Sequence, residues 1–319
     1  MADILVIKLG SLGDIIQAMG AIQDIRLHHP DDRISVITTG PWKRLFERCP
    51  WVDAVLVGNR APRWRLDRFW AVARLLRSRT WTRVYDLQNS GRTELWYRWF
   101  LKDTPWSGQA RGSSMHWAPP ARRTVPIVER LSAQLAVAGV PARYTPLPDA
   151  SWMADDISAL LEEAGVKEPF AVLLPGSSRA GAKKRWPHYA ALAQRLKNRG
   201  WTVVTVPGPD EADLCRPIPG ICLTGGSFLD LFQLAGVLRR AALVIGNDSG
   251  PVHLASHLGT PGIALFGPAW PAALTGIRRP GFETLEVPSL ADLSVDEAEA
   301  RILHHPAAQA FSAHTEKTA

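Results

Sequence analysis

Short apolar segments that stop at glycine-containing turns recur in both halves of this 319-residue chain, each followed by a segment with helical periodicity. In the first half, residues 4–9 form an apolar run that ends at Gly10, and apolar residues then recur at helical spacing from Asp14 to Arg26. In the second half, residues 242–246 lead through a similar turn to another helical segment. Because strands that alternate with helices form parallel sheets covered on both faces, the pattern predicts an α/β protein. We expect two Rossmann-like, doubly wound domains that face each other across a central cleft.

The same pattern gives expected bounds for the other elements. The remaining predicted strands are residues 33–38, 52–57, 83–87, 170–174, 202–206 and 262–266, and the remaining predicted helices are residues 66–76, 94–101, 187–199, 229–238, 251–258 and 295–303. A proline-rich stretch at residues 140–148 interrupts the alternation, and we interpret it as the linker between domains 1–150 and 151–319. The small and polar residues from Ala307 onward are expected to fray.

Charge is divided unevenly between the halves. Residues 1–150 carry 22 basic and 13 acidic side chains, whereas residues 151–319 carry 15 and 17, so the first half is suited to an anionic partner. A hydrophobic share of 46% excludes a disordered chain, and no apolar run approaches the roughly 18–20 residues of a membrane span. Asp3 and Lys8 interrupt what a secretory signal would need, so a cytoplasmic location is expected. The three cysteines form no CxxC pair, and neither disulfides nor a zinc site is expected.

The first turn, residues 8–14, lies where ligands bind in doubly wound sheets, beyond the carboxyl end of a strand. Gly10 and Gly13, on either side of Ser11, allow the backbone to approach a ligand closely. Asp14 has two interpretations, since it could cap the following helix or act as a general base beside Lys8.

A second turn, residues 174–187, combines glycine and serine with a basic cluster before a helix. Its order of residues departs from a P-loop, which excludes nucleotide hydrolysis of that type. Ser177, Ser178 and Lys184 remain candidates for holding an anionic group, although a solvated basic loop is the alternative.

A third turn follows the strand at residues 242–246. Backbone N–H groups at such a turn can bind an anion, and a nearby carboxylate can accept from sugar or ribose hydroxyls. The candidate residues are Asn247, Asp248, Ser249, Gly250 and His253. His257 lies four residues after His253, but no further ligand accompanies the pair, so no metal is expected. Together, the turns predict a nucleotide-sugar site with the diphosphate on the second domain and the acceptor on the first.

Several of these segments resemble the ADP-heptose:lipopolysaccharide heptosyltransferases, glycosyltransferase family 9. The matching segments, in family order between about residues 4 and 270, are Lys8-x-x-x-x-Gly-Asp14, Asp86-Leu-Gln-Asn-Ser90, Lys184-Arg-Trp-Pro187, Asn247-Asp-Ser-Gly-x-x-His253 and Leu265-Phe-Gly-Pro268. The resemblance implies the GT-B fold and transfer of heptose from ADP-L-glycero-β-D-manno-heptose to the lipopolysaccharide inner core, with inversion.

The resemblance also implies roles for single residues. Asp14 corresponds to the base that deprotonates the acceptor and Lys8 to a lysine near the reaction centre. Lys184 corresponds to a diphosphate-binding lysine, and residues 247–253 to the donor-binding loop. Some members hold an acidic residue near the donor ribose, and here that segment contains Asp230. No cofactor and no divalent metal are expected. The alternatives are a transferase or epimerase that uses another nucleotide sugar, and a non-catalytic nucleotide-sugar-binding protein.

Arginines are concentrated between residues 60 and 83, where eight of them accompany a single acid and interleaved aromatic residues. The hypothesis is that Arg60, Arg63, Arg65 and Arg68 contact an anionic glycolipid acceptor or the inner-membrane surface. The alternative is an ordinary solvated face. Nucleic-acid binding is not expected, because no such motif is present, and the protein is expected to be a monomer.

Overall fold

The computed structural model describes residues 1–60, 65–118, 124–177, 184–224 and 226–311. The chain divides into two units, Met1–Trp152 and Met153–Ala319. Among the described residues, each unit contains a six-stranded sheet in which all neighbouring strands are parallel. The predicted α/β class with two doubly wound parallel-sheet units is confirmed.

The first unit alternates strands and helices along the chain. Its strands are β1 (Asp3–Ile7), β2 (Arg33–Thr39), β3 (Ala54–Gly58), β4 (Arg83–Asp86), β5 (Trp106–Gly108) and β6 (Met115–His116). Its helices are α1 (Leu12–His28), α2 (Lys43–Arg48), α3 (Leu66–Leu76), α4 (Gly91–Phe100) and α5 (Ile127–Val137).

The second unit repeats this alternation. Its strands are β7 (Phe170–Leu174), β8 (Thr202–Thr205), β9 (Ile221–Cys222), β10 (Leu243–Asn247), β11 (Gly262–Phe266) and β12 (Phe282–Glu286). Its helices are α6 (Ser158–Glu163), α7 (Tyr189–Asn198), α8 (Ala212–Cys215), α9 (Leu231–Arg240), α10 (Gly250–His257) and α11 (Val295–Leu303). Among the residues that the structure describes, no helix has both the length and the apolar character needed to cross a bilayer.

Both sheets have the same strand order. The first runs β3-β2-β1-β4-β5-β6 and the second β12-β11-β10-β7-β8-β9, which is the same order read from the opposite edge. In such a sheet, the order reverses between the two central strands, which are β1 and β4 in one unit and β7 and β10 in the other. Because crossovers diverge at that point, a crevice opens beyond the carboxyl ends of the central strands.

The apolar runs of the sequence form the buried central strands. Every residue of β7, β10 and β11 is buried, as expected for strands covered on both faces. Helix starts follow local capping rules, since Ser294 Oγ accepts from the backbone N–H of Glu297 at 3.2 Å at the start of α11.

The proline-rich residues 140–148 belong to the first unit, so their interpretation as a linker is wrong. The carboxylate of Asp24 on α1 is 2% exposed and accepts the backbone N–H groups of Arg143, Tyr144 and Thr145, at 2.8–3.1 Å, and the hydroxyl of Thr145 at 2.7 Å. A buried carboxylate needs such donors, and these fix the segment against the helix.

The expectation that the chain frays from Ala307 is wrong for residues 307–311. Residues 306–311 are helical, and Ala308 is 1% exposed. The ring of Phe311 stacks on that of Trp201 with centroids 3.7 Å apart. Burial of these side chains in the second unit's core holds the segment in place.

Candidate functional site

The predicted turns lie at the two points where strand order reverses. Residues 8–11 follow β1, and its neighbour β4 ends at Asp86. In the other unit, residues 175–188 follow β7, and its neighbour β10 ends at Asn247. Each unit therefore brings two turns that are distant in sequence to one edge of its sheet.

In the first unit, Asp14 lies in the first turn of α1 and is exposed. Its Oδ2 atom accepts the backbone N–H of Ser11 at 3.2 Å and the Ser11 hydroxyl at 3.0 Å. A Cβ atom at Gly10 would lie 2.6 Å from the Cβ of Asp14, so this approach requires glycine. The capping interpretation of Asp14 is thus correct locally, and it leaves the carboxylate accessible. The general-base role stays a prediction.

Lys8 is 5% exposed, and its ammonium donates to the Leu87 carbonyl at 3.1 Å. The neighbouring Asp86 is 1% exposed. Burial raises the pKa of Asp86 to about 6, although hydrogen bonds and the charge of Lys8 act in the opposite direction. A catalytic role for Lys8 stays a prediction, and the observed contacts join the turn after β1 to the end of β4.

Further hydrogen bonds hold the same turn from two sides. The side chain of Gln88 accepts the Leu9 N–H at 2.8 Å, and the Trp42 indole donates to the Gly10 carbonyl at 2.8 Å. Sequence reasoning assigned no role to Gln88 or Trp42. Gln88 lies in the segment Asp86-Leu-Gln-Asn-Ser90 that resembles the family. No local signal identifies Trp42, because it lies in a different turn from the one to which it donates.

In the second unit, Lys184, Asp248 and His253 form one cluster. Lys184 Nζ donates to Asp248 Oδ2 at 2.5 Å, and His253 Nε2 lies 3.3 Å from Asp248 Oδ1. Burial alone would raise the pKa of Asp248, but hydrogen bonds from His253 and Lys184 hold it below its ordinary value. The side chain of Lys184 is 33% exposed, so it is not confined to the interior.

The cluster lies beside the start of α10. Ser249 is the N-cap residue, the helix begins at Gly250, and both are partly exposed. The first backbone N–H groups of a helix have no partner within it, and the helix dipole favours an anion there. A lysine ammonium and a helix N-terminus at one sheet edge can hold a phosphate group.

Asn247 has a different environment from its neighbours. It is 0% exposed, and its Oδ1 accepts the Trp186 N–H at 3.0 Å and the Tyr189 hydroxyl at 3.1 Å, while Nδ2 donates to the Pro175 carbonyl at 2.8 Å. These bonds tie the segment after β7 to the end of β10. The contact of Asn247 with the donor stays a prediction, and the structure shows that its side chain makes internal hydrogen bonds.

Ser177 is 7% exposed, and its hydroxyl and carbonyl accept from the Arg185 guanidinium at 3.2 and 3.0 Å. Ser178, the other serine predicted in this turn, lies outside the described residues, as does Arg63 in the arginine-rich segment. Of the other predicted arginines, Arg65 and Arg68 are exposed.

Two carboxylates of the second unit have different environments. Asp230 caps α9, since its Oδ1 accepts the N–H groups of Phe232 and Gln233, both at 2.9 Å. Glu211 follows β8, accepts the Gly208 N–H at 3.1 Å and packs against Gly176 just beyond β7. Glu211, which sequence reasoning missed, is thus the carboxylate beside the turn after β7. The available signal was an acid shortly after a predicted strand.

The side chains of His253 and His257 make contacts with different groups. His257 Nε2 lies 2.8 Å from Arg279 Nη2, and its Nδ1 lies 2.8 Å from the His253 carbonyl oxygen. Both ring nitrogens of His257 are therefore engaged. Within the described ranges, no group of three or more His, Cys, Asp or Glu side chains is placed to hold a metal ion.

Comparisons with known proteins identify the family and the fold. The family described as glycosyltransferase family 9 (heptosyltransferase) matches residues 69–280. Lipopolysaccharide heptosyltransferase 1 of Pseudomonas aeruginosa is 29% identical over 301 residues, 84% of this chain and 79% of the relative. Lipopolysaccharide heptosyltransferase 3 of Escherichia coli is 25% identical over 279 residues, 80% of each chain. The structure of E. coli ADP-heptose LPS heptosyltransferase II is similar with a TM-score of 0.73 at 20% identity, covering 98% of this chain and 99% of that one.

Proposed function

The chain belongs to glycosyltransferase family 9, the heptosyltransferases, and on that premise we propose that it transfers heptose from ADP-L-glycero-β-D-manno-heptose to the lipopolysaccharide inner core. The observation that carries the proposal is the cluster of Lys184, Asp248 and His253 beside the N-terminus of α10. The relatives named above support the sugar and the acceptor.

The second unit stabilises the departing ADP in this proposal. Lys184 and the first N–H groups of α10 compensate the negative charge that grows on the diphosphate as its bond to the sugar breaks. Asp248 orients Lys184 and His253. Because a lysine and a helix end supply this compensation, we propose that no divalent metal or other cofactor takes part.

Asp14 serves as the general base. Both of its hydrogen bonds from Ser11 reach one oxygen, Oδ2, so the other oxygen can take the proton of the acceptor hydroxyl. The acceptor oxygen then bonds to the anomeric carbon while ADP departs from the opposite face with the bonding electron pair. One displacement of this kind inverts the configuration at that carbon.

The arginine-rich segment of the first unit contributes to acceptor binding. The lipopolysaccharide core is an anionic glycolipid, and Arg60, Arg65 and Arg68 suit its negative groups, as does the guanidinium of Arg63 by its chemistry. We place the reaction at the cytoplasmic face of the inner membrane, where such an acceptor is anchored.

The test offers ADP-heptose with a panel of truncated core acceptors and identifies products by mass spectrometry. Asp14→Asn keeps an oxygen for the Ser11 bonds, so we expect a folded protein with turnover lowered about 10²–10⁴-fold. Asp31→Asn, another exposed aspartate near α1, is the matched control. Unchanged turnover of Asp14→Asn would remove Asp14 as the base, and tight binding of UDP without binding of ADP would exclude the heptose donor.

A further inference from the structure

The outer faces of α3 and α4 carry a contiguous aromatic surface. Leu66 and Trp70 on α3 are 64% and 51% exposed, and Trp99 on α4 is 63% exposed. The ring of Phe69 joins the two tryptophans, with its centroid 5.7 Å from Trp70 and 6.0 Å from Trp99, and Leu66 precedes Phe69 and Trp70 by three and four residues, on the same face of α3. Phe69 also packs on Phe100, with centroids 5.0 Å apart. We call Leu66, Phe69, Trp70, Trp99 and Phe100 the α3–α4 surface.

This surface is distinct from the side of α3 that covers the sheet. Val72, Ala73 and Leu76 are each no more than 2% exposed. They supply the apolar stripe that the helix needs for packing in its unit. Leu66 and Trp70 lie outside that stripe, so core packing does not account for them. Large apolar side chains exposed together, unlike single ones, mark a surface that contacts a partner.

The charge around the α3–α4 surface is positive. Arg65 and Arg68 have side chains 47% and 58% exposed. Asp67, the one acid between residues 60 and 83, lies 2.9 Å from Arg65 and 3.5 Å from Arg68, so its charge is balanced. Arg77 lies over the ring of Phe100, 5.1 Å from its centroid. Basic side chains therefore border the aromatic residues.

We propose that the α3–α4 surface docks on an anionic phospholipid bilayer, with Trp70 and Trp99 at the level of the headgroups. Tryptophan favours this zone because its ring is apolar and its indole N–H is polar. Arginines attract anionic lipid phosphates within about a Debye length of the membrane. Aromatic insertion and charge attraction together give a reversible contact rather than a membrane span.

Lipid binding at this surface does not depend on which sugar the enzyme transfers, since it needs only side chains of α3 and α4. It has a consequence for the proposed reaction, because a docked enzyme meets a membrane-anchored acceptor at a raised local concentration. Loss of docking should therefore lower turnover with acceptor in vesicles and leave turnover with a lipid-free acceptor unchanged.

The test is co-sedimentation of the full chain with vesicles of phosphatidylethanolamine and phosphatidylglycerol, compared with vesicles of phosphatidylcholine alone. We expect binding to the anionic vesicles to be at least about tenfold tighter and to weaken as NaCl rises from about 0.05 to about 0.5 M. The double variant Trp70→Ser/Trp99→Ser should lose at least about tenfold in affinity. Brominated lipids should quench tryptophan fluorescence of the parent more than that of the double variant.

Leu147→Ser is the matched control, because Leu147 is 58% exposed in the same unit but lies far along the chain from α3 and α4. It should bind vesicles like the parent. Equal binding to both vesicle types, or parental binding by the double variant, would overturn the proposal. So would a concentration-dependent dimer that the double variant abolishes, since a second copy would then be the partner. Unchanged activity of the double variant on lipid-free acceptor separates failure of docking from failure of the reaction.

Discussion

Replacing Asp86 by asparagine should change how the stability of the first unit depends on pH. Burial raises the pKa of the Asp86 carboxyl to about 6, against hydrogen bonds from Thr93, Asn89 and Gln88 and the charge of Lys8, which lower it. In the unfolded chain the carboxyl returns to its ordinary value of 3.8. A difference of roughly two pKa units corresponds to about 3 kcal/mol in the free energy of unfolding.

The sign follows from the direction of the shift. Because the folded pKa lies above the unfolded one, the protonated carboxyl favours the folded state, and this contribution is complete below about pH 4. It is lost as the pH rises through about 6, where the folded carboxyl must ionise without water. An asparagine side chain does not titrate, so the Asp86→Asn protein should gain about 3 kcal/mol relative to the parent between about pH 4 and about pH 7.

The assay is urea unfolding at a series of pH values, followed by tryptophan fluorescence. Nine of the 13 tryptophans precede residue 151, so the signal reports mainly the first unit. Lys8→Met is the informative companion, because the charge of Lys8 lowers the pKa of Asp86. Its removal should move the loss of stability to higher pH. Parallel stability curves for the parent and Asp86→Asn would refute the reasoning.

Two further predictions concern the cluster of Lys184, Asp248 and His253 in the second unit and the proline-rich residues 140–148 of the first unit. Lys184→Gln should weaken ADP binding in calorimetry by about 10–150-fold, the equivalent of one charged hydrogen bond of about 1.5–3 kcal/mol, whereas exposed Lys197→Gln should not change it. Gly20→Ala places a Cβ 2.0 Å from the Tyr144 carbonyl oxygen and should lower the free energy of unfolding by about 3 kcal/mol, measured in urea. Gly40→Ala is its control, because a Cβ there meets nothing within 4 Å, and equal losses at both glycines would contradict the steric argument.

Elements with strong, local sequence patterns could be predicted to the residue. The strands Phe170–Leu174 and Gly262–Phe266 have the expected bounds, because a buried parallel strand is a continuous apolar run bounded by turn residues. The short strand Trp106–Gly108 was missed, since three residues cannot show a period. Helix Ile127–Val137 was also missed, although its apolar residues recur with helical spacing. That error was one of interpretation rather than of missing information.

The site could be predicted only as far as its local turns allowed. The sequence indicates a strand, a turn and a helix around residues 8–14 and 247–253, and the structure has this arrangement, with the turns at residues 8–11 and 248–249. It does not indicate that Lys8 reaches Leu87, or that Lys184 reaches Asp248. Such contacts depend on which strands become neighbours, and single-strand patterns do not encode that. The assignment of the acceptor to the first half and of the donor to the second half remains a proposal, because it too cannot be read from single-strand patterns.

The repeated strand order explains why the two units carry comparable charge pairs. In each unit, a lysine from the turn after one central strand lies near an aspartate at or just after the end of the neighbouring central strand. Lys184 donates to Asp248, whereas Lys8 donates to the Leu87 carbonyl and acts on Asp86 through its charge. The two pairs differ in burial, and this gives their side chains different chemical properties. Asp86 is fully buried with a raised pKa, and Lys8 is 5% exposed, so that pair is confined to the interior. Asp248 keeps a lowered pKa and therefore its charge, while Lys184 is 33% exposed. Because only an accessible cation can attract a diphosphate, the second pair suits the donor, and the first is suited to fixing the turn that carries Asp14.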